Sequence, residues 1–171
     1  MTQRQFPRFD ETTAPVAARE ALLSTKRAFG AIPEPLARYA SSPLLLHAAL
    51  TGLEAFEKSS LLPLEREVLA MTMAHRNGCQ FCLNFHRRTL VAEHAPAQLV
   101  NELVAGQALT EPRFEALRRF VLALQEERGD VSGKAWSDFR EAGYSHEQAL
   151  DVVAGVSVYT LTTLANRLVE V

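Results

Sequence analysis

Cys79-Gln80-Phe81-Cys82-Leu83-Asn84-Phe85-His86 holds the only two cysteines of the chain, three positions apart, with a histidine four positions beyond the second. Thiols at that separation can close into a disulfide, and a helix sets a residue four positions on beside its neighbour. Each helical residue advances about 100°, so Cys82 lies about 60° to one side of Cys79 and His86 about 20° to the same side. All three share one face. Cys79 falls at the start of the expected helix, where unpaired N–H groups and the helix dipole stabilise a thiolate. His86 can take a proton from a thiol directly or through one water.

A thiolate that attacks a peroxide oxygen becomes a sulfenic acid. The second cysteine condenses with it to a disulfide, which an external dithiol then reduces by exchange. The segment therefore reads first as a redox site. The same residues also fit a non-catalytic redox sensor or dithiol carrier. Zinc is a third reading, because Cys79, Cys82 and His86 are all ligand types and His75 or Glu67 could complete a set. A structural zinc site normally draws four ligands from two separated pairs, however, and no third cysteine exists. Inert core cysteines are the remaining reading. His47, His94 and His146 have no partners visible in the sequence and are expected in surface or core roles. Trp136 and the phenylalanines at helical spacing are expected in the core.

The elements that must position this segment are helices. Apolar spacing from Pro15 to Phe29 predicts a helix stopped by Gly30, and Ala31 to Pro35 reads as a loop because two prolines withhold backbone donors. Pro43 opens a helix to about Glu57. Pro63 opens the next, Leu64 to about Asn77, with Glu65 and Glu67 in a first turn where the dipole favours anions. Gly78 breaks it, and Cys79 to about Glu93 follows. Pro96 marks a short helix to about Ala105. Phe114, Leu117, Val121 and Leu124 form an apolar stripe within a helix over 112–128. Ser132 is placed to cap a helix through Ala142, and Ser145-His146-Glu147-Gln148 fits a capping box ahead of a helix to about Leu168. No convincing strand pattern occurs, so the fold class is all-α.

The bulk properties narrow the function classes. With 171 residues, 47% of them apolar and 22% charged, the chain suits one soluble domain over 1–171. A formal net charge of -2 argues against binding a phosphate backbone. Arg87-Arg88 and Arg118-Arg119 read as solvated helix faces. The N-terminal stretch Met1 to Asp10 is polar and lacks the apolar core of a signal peptide. Val152 to Leu164, interrupted by serine, tyrosine and threonines, reads as too short and too polar to span a bilayer. A cytoplasmic protein is expected, and there a close dithiol is more often catalytic, sensing or metal-binding than a staple.

Leu64-Glu65-Arg66-Glu67-Val68-Leu69-Ala70, then Asn77-Gly78-Cys79-Gln80-Phe81-Cys82 and His86, resembles the AhpD-like alkylhydroperoxidases of the carboxymuconolactone decarboxylase superfamily. Glu67, Cys79, Cys82 and His86 match the spacing of that family without a gap, within residues 64–92. The helix ending in Asn166-Arg167-Leu168 is similar to the peroxidase-related branch. The resemblance implies a helical hairpin carrying the CxxC at a helix N-terminus. It implies a homo-oligomer, trimer or hexamer, with the dithiol near a subunit contact. It also implies a peroxidase cycle without haem, flavin or metal, fed by an external dithiol or thiol-protein reductant. Cys82 would be the peroxidatic thiol, Cys79 the resolving one, and His86 with Glu67 a proton relay through water. The residues alone do not choose the attacking cysteine, and Glu65 is an equally available first-turn acid. Family members can carry a histidine directly before the second cysteine, where Phe81 stands here. The decarboxylase branch lacks the cysteine pair.

Overall fold

The computed structural model describes residues 5–171, so Met1 to Arg4 of the polar N-terminal stretch lie outside the described residues. The described chain forms helices α1 (Val16–Phe29), α2 (Glu34–Tyr39), α3 (Pro43–Glu57), α4 (Pro63–Arg76), α5 (Gln80–Ala92), α6 (Ala97–Ala105), α7 (Pro112–Glu126), α8 (Gly133–Glu141) and α9 (His146–Leu168). No strand occurs among the described residues. The fold is the all-α arrangement expected.

Helix α4 is the hub. Every residue from Val68 to Ala74 is buried, and seven consecutive positions cover all sides of a helix rather than one stripe. It packs against α5, α7 and α9, and its side chains join those of α7 and α9 in the larger apolar cluster. A second cluster joins α1, α2 and α3 to the end of α9 through residues such as Leu22, Tyr39, Leu46 and Ala165. Close approach of α9 to its neighbours depends on small residues. A Cβ on Gly155 would stand 2.5 Å from Phe56 and 2.8 Å from Leu69, and one on Gly52 would stand 2.8 Å from Val158.

The structure departs from the sequence reading at several points. Glu34 to Tyr39 is a helix, so the expected loop ends at Pro33. Pro33 is its N-cap and Pro35 lies in its first turn, where a missing N–H costs no helical bond. Ser132 stands at the N-cap of α8 but its side chain makes no capping bond, whereas the Ser145–Gln148 box is fully formed. Phe29 and Phe85 are exposed rather than core. Arg118 is not a solvated cation: Glu115 holds it through Nε at 2.7 Å and Nη2 at 2.9 Å.

Helix α9 is long and apolar enough to cross a membrane by length and composition, with a mean hydropathy of 1.2. The sequence reading took only its Val152 to Leu164 portion. Half of its most apolar stretch is buried inside the protein, and α9 packs against α3, α4 and α7.

Candidate functional site

The turn between α4 and α5 builds the site. Gly78 adopts a left-handed conformation with φ 63°, which suits a residue without a Cβ. Its N–H donates to His75 O at 3.1 Å, and Cys79 N–H donates to Ala74 O at 2.9 Å. This pair of bonds is a Schellman motif, which satisfies the last carbonyls of α4. Cys79 therefore ends one helix and is the N-cap of the next. Its Sγ accepts the Cys82 N–H at 3.3 Å, so sulfur takes the place an oxygen usually holds in a cap.

Cys79 and Cys82 are joined as a disulfide with their Cα atoms 5.3 Å apart. Cys79 is 1% exposed and Cys82 6%, so the second sulfur residue is the more accessible. Ala74, Phe81 and Leu83 form an apolar surround, and Phe81 stacks on Phe85 at 6.4 Å.

His86 sits one turn beyond Cys82 and is buried. Its Nδ1 lies 2.9 Å from Glu67 Oε2, and each side chain is 10% exposed. With Glu67 ionised, Nδ1–H donates to the carboxylate and Nε2 presents its lone pair. Neither ring nitrogen bonds to a sulfur of the disulfide among the described residues. Tyr159 and Phe85 meet the imidazole edge-on at 5.4 Å and 5.3 Å. Burial, and then the Glu67 charge, push the Tyr159 hydroxyl above its ordinary value.

The two candidate acids of α4 separate cleanly: with the helix starting at Pro63, only Glu65 lies in its first turn, and Glu67, expected there too, falls in the second. Glu65 is fully buried, accepts the Leu62 N–H at 2.9 Å and pairs with Arg113 Nε at 2.8 Å. It caps α4 and ties it to α7. Glu67 alone reaches His86. The structure thus joins Glu67 to His86 and Cys79 to Cys82, with His86 one helical turn from Cys82 on α5. His75 points elsewhere, with Nε2 at 2.7 Å from Val104 O, and no group of three or more His, Cys, Asp or Glu able to hold a metal occurs among the described residues. His47 bonds Ala17 O and His146 lies against Trp136.

One residue was not singled out for the site. Asn166 on α9 is buried, with Nδ2 at 3.2 Å from Cys82 Sγ and 3.7 Å from Cys79 Sγ. Its Oδ1 meets the hydroxyl of buried Tyr39. The neighbouring residues of α9 grip the turn itself: Thr163 Oγ1 accepts Asn77 Nδ2 at 2.8 Å, and Arg167 Nη1 donates to Asn77 O at 2.9 Å. The available signals were the resemblance of Asn166-Arg167-Leu168 to the peroxidase-related branch and an amide on the apolar terminal helix, next to Ala165 and close to Val169.

The profile of the carboxymuconolactone decarboxylase family matches residues 43–126, a range that contains Glu67, Cys79, Cys82 and His86. A comparison with curated protein sequences finds no match. Among solved structures, the fold is similar to a peroxidase-related protein of Ralstonia eutropha JMP134 described as an alkylhydroperoxidase AhpD core. The TM-score is 0.82 at 20% identity, over 95% of this chain and 88% of that one. It is also similar to a peroxidase-related protein of Silicibacter sp. TM1040, with a TM-score of 0.76 at 18% identity over 98% of this chain and 92% of the other.

Proposed function

We propose that this chain, which matches the carboxymuconolactone decarboxylase family over residues 43–126 and has an AhpD-like fold, is a thiol-dependent peroxidase acting on hydrogen peroxide or organic hydroperoxides. The observation that carries the proposal is the bonded Glu67–His86 pair one helical turn from Cys82. A base held in one tautomer beside a dithiol is what peroxide reduction by thiols requires.

In the cycle proposed, His86 Nε2 takes the Cys82 proton through a water, with Glu67 holding the imidazolium. The Cys82 thiolate attacks one peroxide oxygen and the O–O bond breaks. The alcohol or water leaves with the proton returned by His86, and Cys82 becomes a sulfenic acid. The Cys79 sulfur then attacks Cys82 Sγ, forms the disulfide and releases water. An external dithiol passes two electrons to the pair, restoring both thiols and leaving as its own disulfide. The greater exposure of Cys82 supports it as the attacker. A homo-oligomer, trimer or hexamer, belongs to the same proposal. It is supported by the apolar side chains exposed along α9, Leu150, Val153, Leu164 and Leu168, and sedimentation would test it.

The decisive assay follows peroxide loss with a dithiol donor. Wild type should far exceed the donor alone, His86→Ala should fall by roughly 10²-fold or more, and Cys82→Ser should be inactive. Disulfide formation without turnover above the donor alone would remove the peroxidase reading.

A further inference from the structure

The donor facing both sulfurs comes from outside the CxxC helix. The side-chain amide of Asn166 has two N–H donors and an oxygen acceptor, and a buried amide must place all of them. Its oxygen meets the Tyr39 hydroxyl and its nitrogen faces the disulfide, nearer to Cys82 than to Cys79. The Tyr39 hydroxyl, with one proton to donate, also lies 2.9 Å from Thr162 O, so the phenol sits between two acceptors of α9, the backbone carbonyl and the amide oxygen. Tyr39 is 2% exposed and Asn166 5%, which keeps water from competing for these bonds.

A neutral disulfide is a weak acceptor, whereas a thiolate accepts a charge-assisted bond. An amide aimed at Cys82 Sγ therefore favours the reduced, deprotonated form over the disulfide. We infer that Asn166 binds the Cys82 thiolate through its side-chain amide, that Tyr39 is the positioning residue for that amide, and that α2 and α9 thereby set the acidity and reduction potential of the dithiol. The inference rests on Cys79 and Cys82 being a redox dithiol, whatever their oxidant.

The step it governs is reduction of the pair. An external dithiol breaks the Cys79–Cys82 S–S bond, forms its own, and delivers two electrons. Its two protons go to Cys79 and Cys82, and once His86 has taken the second, Cys82 is a thiolate bonded to Asn166. The titratable and charged groups placed about the pair are Cys79 at the N-cap of α5, His86 in the middle of that helix, Glu67 bonded to His86, Tyr159 against the His86 ring, Arg167 on the α4–α5 turn and Tyr39 on Asn166. Asn166→Leu removes the amide and leaves each of these groups in the sequence.

The test measures two quantities on the full chain: the pH dependence of Cys82 alkylation by iodoacetamide, resolved by mass spectrometry, and the dithiol–disulfide equilibrium in glutathione buffers. Asn166→Leu should move the alkylation midpoint up by about one pH unit, a tenfold loss of thiolate near neutrality. It should lower the potential by about 30 mV, a tenfold change in the exchange equilibrium. Tyr39→Phe should shift both the same way by less. Asn166→Asp, which sets a negative charge beside the sulfur, should raise the midpoint further than leucine does. Should Asn166→Leu fail to fold by circular dichroism, Tyr39→Phe reads the same two quantities. Folded variants with both within twofold of wild type would overturn the inference. These shifts in a protein that turns over no peroxide would uphold it while removing the peroxidase reading.

Discussion

Glu67 on α4 and His86 on α5 meet at 2.9 Å across the helix hairpin, each side chain 10% exposed. A carboxylate at Nδ1 gives the ring an orientation and leaves Nε2 as the basic nitrogen. Glu67→Gln keeps the shape but can offer an N–H to Nδ1, which would reverse the tautomer and turn Nε2 into a donor. Peroxide turnover in this variant should fall roughly 10²-fold with little change in the urea midpoint. Unchanged turnover would remove Glu67 from the relay.

Glu65 should behave in the opposite way. It is fully buried and bonded to both the Leu62 N–H and Arg113. Glu65→Ala should cost about 2–3 kcal/mol, below the range for a fully buried ion pair because Arg113 is one-third exposed. Urea denaturation reads the loss, and Cys82 alkylation should stay at the wild-type rate. Lost turnover in a stably folded Glu65→Ala protein would contradict this division of labour.

Gly155→Ala tests the packing that holds α9, and so Asn166, in place. Alanine is the better helix former by roughly 1 kcal/mol, but its Cβ would fall 2.5 Å from Phe56. Overpacking of this kind costs about 1–3 kcal/mol, so thermal unfolding should occur at a lower temperature than in wild type. A more stable variant would show that α9 can shift without cost.

Alkaline pH should loosen the fold through its tyrosines. Tyr39, Tyr144 and Tyr159 are the three in the chain, and burial pushes each hydroxyl above the ordinary value of 10.0. A group whose folded value is raised contributes stability that is complete below its unfolded value and lost as pH climbs past it. Stability should therefore hold up to about pH 10 and decline beyond it. Absorbance at 295 nm should show tyrosinate appearing only with unfolding. Three tyrosines titrating near 10 in folded protein would refute the expectation.

Much of this molecule was legible from local pattern. Proline and glycine punctuation placed most helix ends, because those residues act on the backbone where they stand. The spacing of Cys79, Cys82 and His86 placed them on one helix face, and the family resemblance added Glu67, which the structure bonds to His86. Helix α2 escaped because a proline in a first helical turn looks, in sequence, like a proline in a loop. Glu65 and Glu67 could not be told apart, since the distinction depends on Arg113, forty-eight residues away. Asn166 carried no role in sequence because its contact with Cys82 spans eighty-four residues. Spacing rules hold along one element and are silent between elements.

The most direct measurement of the central claim is steady-state peroxide consumption by wild type and Cys82→Ser with the same dithiol donor. Wild type should turn over well above the donor alone and Cys82→Ser should not. Full turnover by Cys82→Ser, or a wild-type rate equal to that of the free dithiol, would contradict the account.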